Sequence, residues 1–201
     1  MKKLISLTVI LVCLTSCQAI MKKMYGIKDP DIENERTIKK AATKYKLDPA
    51  NIVTVTSDAF LKELSGKSIP DVAVFDSNGN YIEYRVTDTS CNAGLFKFIP
   101  ELNLKGNYNK TGLTNLQAEL IKFRDLVGKS VGTSEKADFY LHIYWTVWTG
   151  KLNKDHVKIW EDLAVNNKNC KIKTLTVNLD IQEYWGKSKC DSILNKLNKK
   201  N

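Results

Sequence analysis

Cys91, Cys170 and Cys190 are the side chains of this sequence best suited to chemistry, because a thiolate is a strong nucleophile. Cys91 follows Ser90, which predicts a helix N-terminus with the thiol in its first turn. There the unpaired N–H groups and the helix dipole favour a thiolate. The position indicates single-cysteine redox chemistry, but no CxxC, resolving cysteine or T-x-x-C pattern accompanies it. The competing interpretation is a small buried hydrophobe.

Cys170 opens a predicted strand and Cys190 opens the predicted last helix. A disulfide between them would staple the C-terminal segment and contribute on the order of 3 kcal/mol. The alternative for an odd number of thiols in an oxidising compartment is no disulfide at all.

Two histidines, His142 and His156, are the only imidazoles of the chain. His142 lies inside a predicted strand, and His156 lies on a predicted helix one turn beyond Leu152. A metal site needs more ligands at recognised spacings, so structural roles are favoured and neither a metal nor a cofactor is predicted. The sequence also has no G-x-S-x-G, P-loop or dinucleotide-binding pattern.

The stretch 137–153, ADFYLHIYWTVWTGKLN, predicts the strand around which the rest is organised. It is rich in bulky residues on both of its alternating faces. Such a run suits a strand covered on both sides, so we expect a central strand of a parallel or mixed sheet.

The segment after this strand resembles thioredoxin-type proteins, in which a buried strand leads into W-x-x-W-C-G-x-C, a helix, and a strand closing on V-N-x-D. Here Trp145 to Leu152 matches the motif and 177–180 matches the closing strand. The two motif cysteines are replaced by Thr149 and Leu152. Neither side chain can replace a thiolate in disulfide exchange, so the resemblance implies the scaffold without its redox pair.

Ile69-Pro70 precedes a predicted hairpin, 71–86, whose turn contains Asn78-Gly79. This again resembles the thioredoxin-type fold, in which a cis-proline before such a hairpin faces the active-site cysteines. The resemblance implies a groove lined by Ile69, Pro70, Trp148, Thr149, Gly150 and Lys151.

The order of these two blocks departs from the thioredoxin pattern, because the proline block comes about eighty residues before Thr149. The chain therefore predicts either a permuted arrangement or two partial thioredoxin-like units. The expected fold is one α/β domain, 29–201, with a mixed sheet flanked by helices and an insert at about 101–137. Within it, Asp29-Pro30-Asp31 predicts the start of a helix that runs to about Lys46.

The N-terminus has the pattern of a lipoprotein signal. Lys2 and Lys3 precede a short apolar run, and Leu14-Thr15-Ser16-Cys17 matches the lipobox of bacterial lipoproteins. The run is too short for an ordinary membrane span. We expect a signal peptide at 1–16, lipidation of Cys17 and a tether at 17–28, and Gln18 favours the outer membrane, facing the periplasm.

The net charge of +9 falls to +7 when Lys2 and Lys3 leave with the signal. The surplus is spread thinly, with one denser run at 187–200 that is typical of a solvated helix face. No basic stripe is interleaved with stacking aromatics, so a nucleic-acid partner is not predicted.

More narrowly, the sequence resembles a group of uncharacterised lipoproteins from Bacteroidota, through Tyr25-Gly26-Ile27-Lys28, Ile69-Pro70-Asp71, Ser90-Cys91-Asn92-Ala93 and 148–153. The hypothesis for function is a lipid-anchored envelope protein whose degenerate thioredoxin-like domain binds a peptide or envelope partner. The sequence favours such a non-enzymatic role over an enzymatic one. The alternative is a thiol oxidoreductase acting through Cys91.

Overall fold

The predicted central strand, Phe139–Trp145, lies in the middle of a seven-stranded sheet. The structure is a computed structural model that describes residues 22–85, 92–132 and 135–198. All seven residues of this strand are buried, which is the burial expected of a strand covered on both faces.

The strands and helices of the described residues alternate along much of the chain. The strands are β1 (Ile32–Glu33), β2 (Ile52–Val55), β3 (Asp71–Asp76), β4 (Asn80–Ile82), β5 (Lys110–Asn115), β6 (Phe123–Arg124), β7 (Phe139–Trp145), β8 (Ile172–Asn178) and β9 (Ile181–Gln182). The helices are α1 (Glu35–Tyr45), α2 (Ser57–Ser65), α3 (Leu95–Glu101), α4 (Leu116–Leu120), α5 (Lys158–Val165) and α6 (Lys187–Asn198).

The strand order of the main sheet is β5-β4-β3-β7-β8-β2-β6, and β1 pairs separately with β9. Strands β7, β8 and β2 are parallel, whereas β3 is antiparallel to β7 and β4 is antiparallel to β3. The predicted fold class, an α/β mixed sheet flanked by helices, is confirmed. Both predicted blocks share this one sheet, with the central strand β7 supplied after the β3–β4 hairpin.

The side chains of β7 alternate between two hydrophobic clusters, one on each face of the sheet. Leu141, Ile143 and Trp145 pack into the first cluster, which contains the buried residues of α1, α3 and α5. Tyr140 and Tyr144 pack into the second, with residues of α2, α6 and the 116–123 segment. This alternation follows from the period of two in a strand.

The predicted insert contributes to both edges of the sheet. Its first strand, β5, pairs antiparallel with β4 at one edge, and its last strand, β6, pairs antiparallel with β2 at the other. Between them, Asn115 caps the short helix α4 by accepting a hydrogen bond from the N–H of Ala118. The insert therefore crosses one face of the sheet and covers the second cluster.

The first long helix starts later than the Asp29-Pro30-Asp31 signal predicts, so that part of the prediction was wrong. Asn34 is the N-cap, and it forms a reciprocal capping box with Thr37. Residues 32 and 33 pair instead with Ile181 and Gln182 as a parallel strand. The pairing with a distant part of the chain fixes the residues that the local signal assigned to a helix.

Candidate functional site

The cis-proline block and the end of the central strand meet, as the resemblance implied. The Ile69–Pro70 peptide bond is cis. Asp71, the next residue, pairs with Tyr144 of β7, so Pro70 lies at the end of β7 from which the loop 146–151 starts. Ile69 and Trp148 line the same cavity. Two of the predicted groove residues are therefore brought together on one surface.

Thr149 departs from the predicted groove, because its side chain points into the protein. It is 2 % exposed, and its hydroxyl lies 2.8 Å from the carbonyl oxygen of Thr146 and 3.0 Å from Oδ1 of Asn153. Asn153 in turn donates from Nδ2 to the same Thr146 carbonyl. At the position where thioredoxin-type proteins carry a reactive thiol, this chain has a hydroxyl used in internal hydrogen bonding.

Gly150 is buried beneath the chain's own N-terminal segment, residues 25–28, which we call the covering segment, whereas the Lys151 residue is exposed and contacts this segment through its backbone. The N–H of Lys28 donates to the carbonyl of Trp148 at 2.9 Å, and the N–H of Lys151 donates to the carbonyl of Tyr25 at 2.7 Å. Of the predicted tether, 17–28, residues 17–21 lie outside the described residues and residues 22–28 are described. Its later part is held against the domain by these two backbone hydrogen bonds.

Gly150 is the residue that permits this close approach. Its φ of +63° lies in a region that side chains disfavour, and a Cβ there would lie 2.3 Å from the carbonyl oxygen of Tyr25 and 2.6 Å from that of Gly26. A residue with a side chain at position 150 is incompatible with the covering segment in this place.

A half-open cavity of about 360 Å³ lies between the N-terminal residues and the predicted groove. Its lining includes Ile69 and Trp148 from the groove and Ile27 and Lys28 from the covering segment. Lys67, between α2 and the cis-proline, also faces it.

A buried polar network supports the loop from below. Asp180 Oδ2 accepts hydrogen bonds of 2.7 Å from the N–H of Val147 and from Nδ2 of Asn178. Asp180 is 2 % exposed, and Oδ1 has no hydrogen-bond partner within the described part of the chain. Burial raises the pKa of Asp180 to about 7, because the loss of hydration destabilises the ionised carboxylate by more than its two hydrogen bonds stabilise it.

The cysteine predictions have different outcomes. Cys170 and Cys190 are free thiols, so the predicted disulfide between them is not formed. The Cys170 thiol lies 3.3 Å from the Leu102 carbonyl oxygen against the first cluster, whereas Cys190 is part of the second cluster. The thiols are separated by the sheet, and burial raises the pKa of Cys170 to about 11. Cys91 and Cys17 lie outside the described residues.

Both histidines have the structural surroundings that the sequence favoured. His142 is 1 % exposed between the rings of Phe75 and Phe123, at centroid distances of 5.1 and 4.9 Å. His156 packs against the rings of Phe96 and Trp160. No group of three or more His, Cys, Asp or Glu side chains placed to hold a metal ion occurs in the described ranges.

A cluster of ionisable side chains beside the cis-proline was not predicted from the sequence. Glu63 pairs with Lys67 at 2.7 Å and with Lys122 at 2.8 Å, and Lys122 also pairs with Glu119 at 2.9 Å. The hydroxyl of Tyr144 donates to Glu119 at 3.3 Å. Glu63 with Lys67 and Glu119 with Lys122 have the i,i+4 and i,i+3 spacings of local ion pairs, but the contact that joins the two pairs spans 59 residues and has no sequence signal.

The same cluster borders a second cavity, of about 300 Å³, where Asp71 forms an ion pair with Arg85. Burial raises the pKa of Asp71 despite the nearby guanidinium. For Glu63, burial opposes ionisation, but the lysine ammonium groups outweigh it and hold the pKa below its usual value. Each charged side chain named in this cluster therefore forms an ion pair with a side chain of opposite charge.

Comparison of the chain with protein-family models, with curated proteins and with solved structures finds no match. Across the described residues, no helix combines the length and the apolar character needed to cross a membrane.

Proposed function

We propose that this chain is a lipid-anchored protein of the cell envelope whose thioredoxin-like domain binds an extended polypeptide segment and does not catalyse disulfide exchange. The anchor is Cys17, which the lipobox predicts to be lipidated, and Gln18 after it favours the outer membrane, facing the periplasm. The binding surface is the Trp148–Lys151 loop together with Ile69. The partner is a peptide or an envelope protein, and no cofactor takes part.

One observation carries this proposal: the loop already holds a stretch of polypeptide. The carbonyl of Trp148 and the N–H of Lys151 form backbone hydrogen bonds with residues 25–28. Main-chain hydrogen bonds of this kind are the general means by which proteins bind extended peptides, with side-chain pockets adding selectivity. The covering segment thus stands where a partner would bind.

The loss of redox chemistry follows from the residues at the motif. Thr149 is buried and internally bonded, and Leu152 has no nucleophilic atom. A binding surface needs neither thiol. The alternative, a thiol oxidoreductase working through Cys91, stays a prediction from the sequence, because that residue lies outside the described ranges.

The test uses a synthetic peptide of residues 22–30 and a full-chain variant that lacks residues 22–28. We expect the peptide to bind this variant saturably, with one peptide per chain, because the loop groups are then unpaired. The native chain should bind it far more weakly, since its own segment competes at high effective concentration. Fluorescence anisotropy of a labelled peptide measures both.

Trp148→Ala in the deletion variant should weaken peptide binding, because it removes the aromatic side chain while the backbone groups of the loop remain, and a scrambled peptide provides the matched control. Circular dichroism reports whether the deletion variant folds. If it does not, Lys28→Pro replaces it, because proline removes the N–H that bonds to Trp148. A folded variant that does not bind the peptide would refute the proposal that this surface binds polypeptide.

A further inference from the structure

We infer that the 360 Å³ cavity between the covering segment and the groove is a binding site for a single-chain amphiphile with a carboxylate head group, such as a fatty acid. This site goes beyond the proposed peptide surface, because residues 27–30 form part of its lining. The cavity is therefore present only while the covering segment is in place.

The floor of the cavity is apolar and is held by three separate elements. Leu64 comes from α2, Leu197 from α6 and Ile69 from the cis-proline loop, and all three pack against the second hydrophobic cluster. Trp148 adds an aromatic surface from the loop. A volume of this size lies at the lower end of the roughly 300–1,000 Å³ range of small-molecule sites. Because this apolar surface borders open space, it favours binding of the aliphatic part of a ligand.

The lining of the cavity is cationic. Lys22, Lys28 and Lys67 line it with Asp29 as the only carboxylate among its lining residues. Lys67 is already paired with Glu63, whereas Lys22 and Lys28 make no ion pair with any residue in the described ranges. Two unpaired ammonium groups beside an apolar floor favour a ligand with an anionic head and an aliphatic tail.

An extended peptide is the less favoured occupant of this cavity. The two loop groups that would bind its backbone, the Trp148 carbonyl and the Lys151 N–H, are both bonded to the covering segment when the cavity is present. A fatty carboxylate needs no backbone partner. It requires only apolar surface for the tail and ammonium groups for the head.

The experiment measures binding of decanoate, below its micelle concentration, to the full chain carrying Cys17→Ser, so that no attached acyl group competes for the cavity. Isothermal titration calorimetry should show one decanoate per chain. Decyltrimethylammonium, which has the same tail and the opposite charge, should bind at least about tenfold more weakly.

Two variants and their controls locate the site. Lys28→Glu removes a cationic group and Ile69→Gln makes the floor polar, and each should weaken decanoate binding about tenfold or more. The matched controls are Lys168→Glu and Leu104→Gln, which change exposed residues outside this cavity and should leave binding unchanged.

Circular dichroism must first show that each variant is folded, and Lys28→Gln gives a milder change that should weaken binding by an intermediate factor. The inference is overturned if decanoate does not bind, if decyltrimethylammonium binds as tightly, or if Lys28→Glu binds decanoate like the unchanged chain. Failure of the peptide experiment leaves these outcomes unaffected, because no peptide is used.

Discussion

Lys28 donates its backbone N–H to the carbonyl of Trp148 at 2.9 Å, joining a segment near the N-terminus to the loop after the central strand. These residues are 120 positions apart, and the loop is the one in which thioredoxin-type proteins carry their redox cysteines. Because of this contact, the surface that we propose to bind a partner is partly occupied by the chain itself.

Gly150→Ala should release the covering segment. The new Cβ would lie 2.3 Å from the Tyr25 carbonyl oxygen, and the positive φ adds strain of roughly 1 kcal/mol or more. We expect trypsin to cleave after Lys28 at least about tenfold faster in the variant, because the cleavage rate follows the population of the open segment. The time course of cleavage, followed by mass spectrometry, measures this.

Gly94→Ala is the matched control, since a Cβ at Gly94 meets no atom within 4 Å and the residue has a negative φ of −58°. It should leave cleavage after Lys28 unchanged. Equal cleavage rates in the Gly150→Ala variant and the unchanged chain would mean that the segment is not held by this loop.

The central strand and the hairpin could be predicted because their signals are local. Alternating bulky residues identified β7, and Asn78-Gly79 identified the turn after β3. The closeness of Ile69 to Trp148 followed from the family resemblance alone, and antiparallel pairing of β3 with β7 places them together.

The start of α1 could not be predicted, because long-range pairing overrides the local pattern of the residues before it. Asp29-Pro30-Asp31 has the chemistry of a helix start, yet residues 32 and 33 pair with Ile181 and Gln182. The gain from this pairing depends on residues far away in the sequence, which periodicity and capping rules do not consider. The burial of Thr149 was missed for a different reason: the family resemblance placed this position in the groove, whereas its hydroxyl is bonded locally to Thr146 and Asn153 inside the protein.

Asp180→Asn should stabilise the protein at pH 8 and reduce the pH dependence of its stability. Burial raises the pKa of Asp180 from 3.8 to about 7, so the folded chain binds its proton more tightly than the unfolded chain. Stability from this group is therefore present at low pH and is lost as the pH rises from about 4 through about 7. Asparagine carries no charge, and we expect a gain of about 2 kcal/mol at pH 8.

Urea unfolding at pH 5 and pH 8 measures this change, with Asp155→Asn as the control for an exposed aspartate in the same region. Some slope should remain in the Asp180→Asn variant, because burial also raises the pKa of Glu161 to about 7. Parallel stability curves for the variant and the unchanged chain would show that Asp180 is ionised without cost in the folded state.

His142→Leu should stabilise the protein, and more so in acid. Neither ring nitrogen of His142 has a hydrogen-bond partner within the described residues, and a buried unpaired polar group costs roughly 1–3 kcal/mol. Burial, with the nearby Lys67 and Lys122 ammonium groups, lowers the pKa of His142 from 6.5 to about 3. The unfolded chain therefore binds more protons between these values, and stability is lost as the pH falls below about 6.5. Leucine removes both costs, so we expect a gain of about 1–2 kcal/mol at pH 7 and a larger one at pH 5.

Urea unfolding at the two pH values measures the gain in the free energy of unfolding, and the ring proton shifts of His142 by NMR should stay constant between pH 5 and pH 8. A ring that titrates near 6.5, or a variant less stable at both pH values, would mean that His142 has a polar partner when the protein is folded.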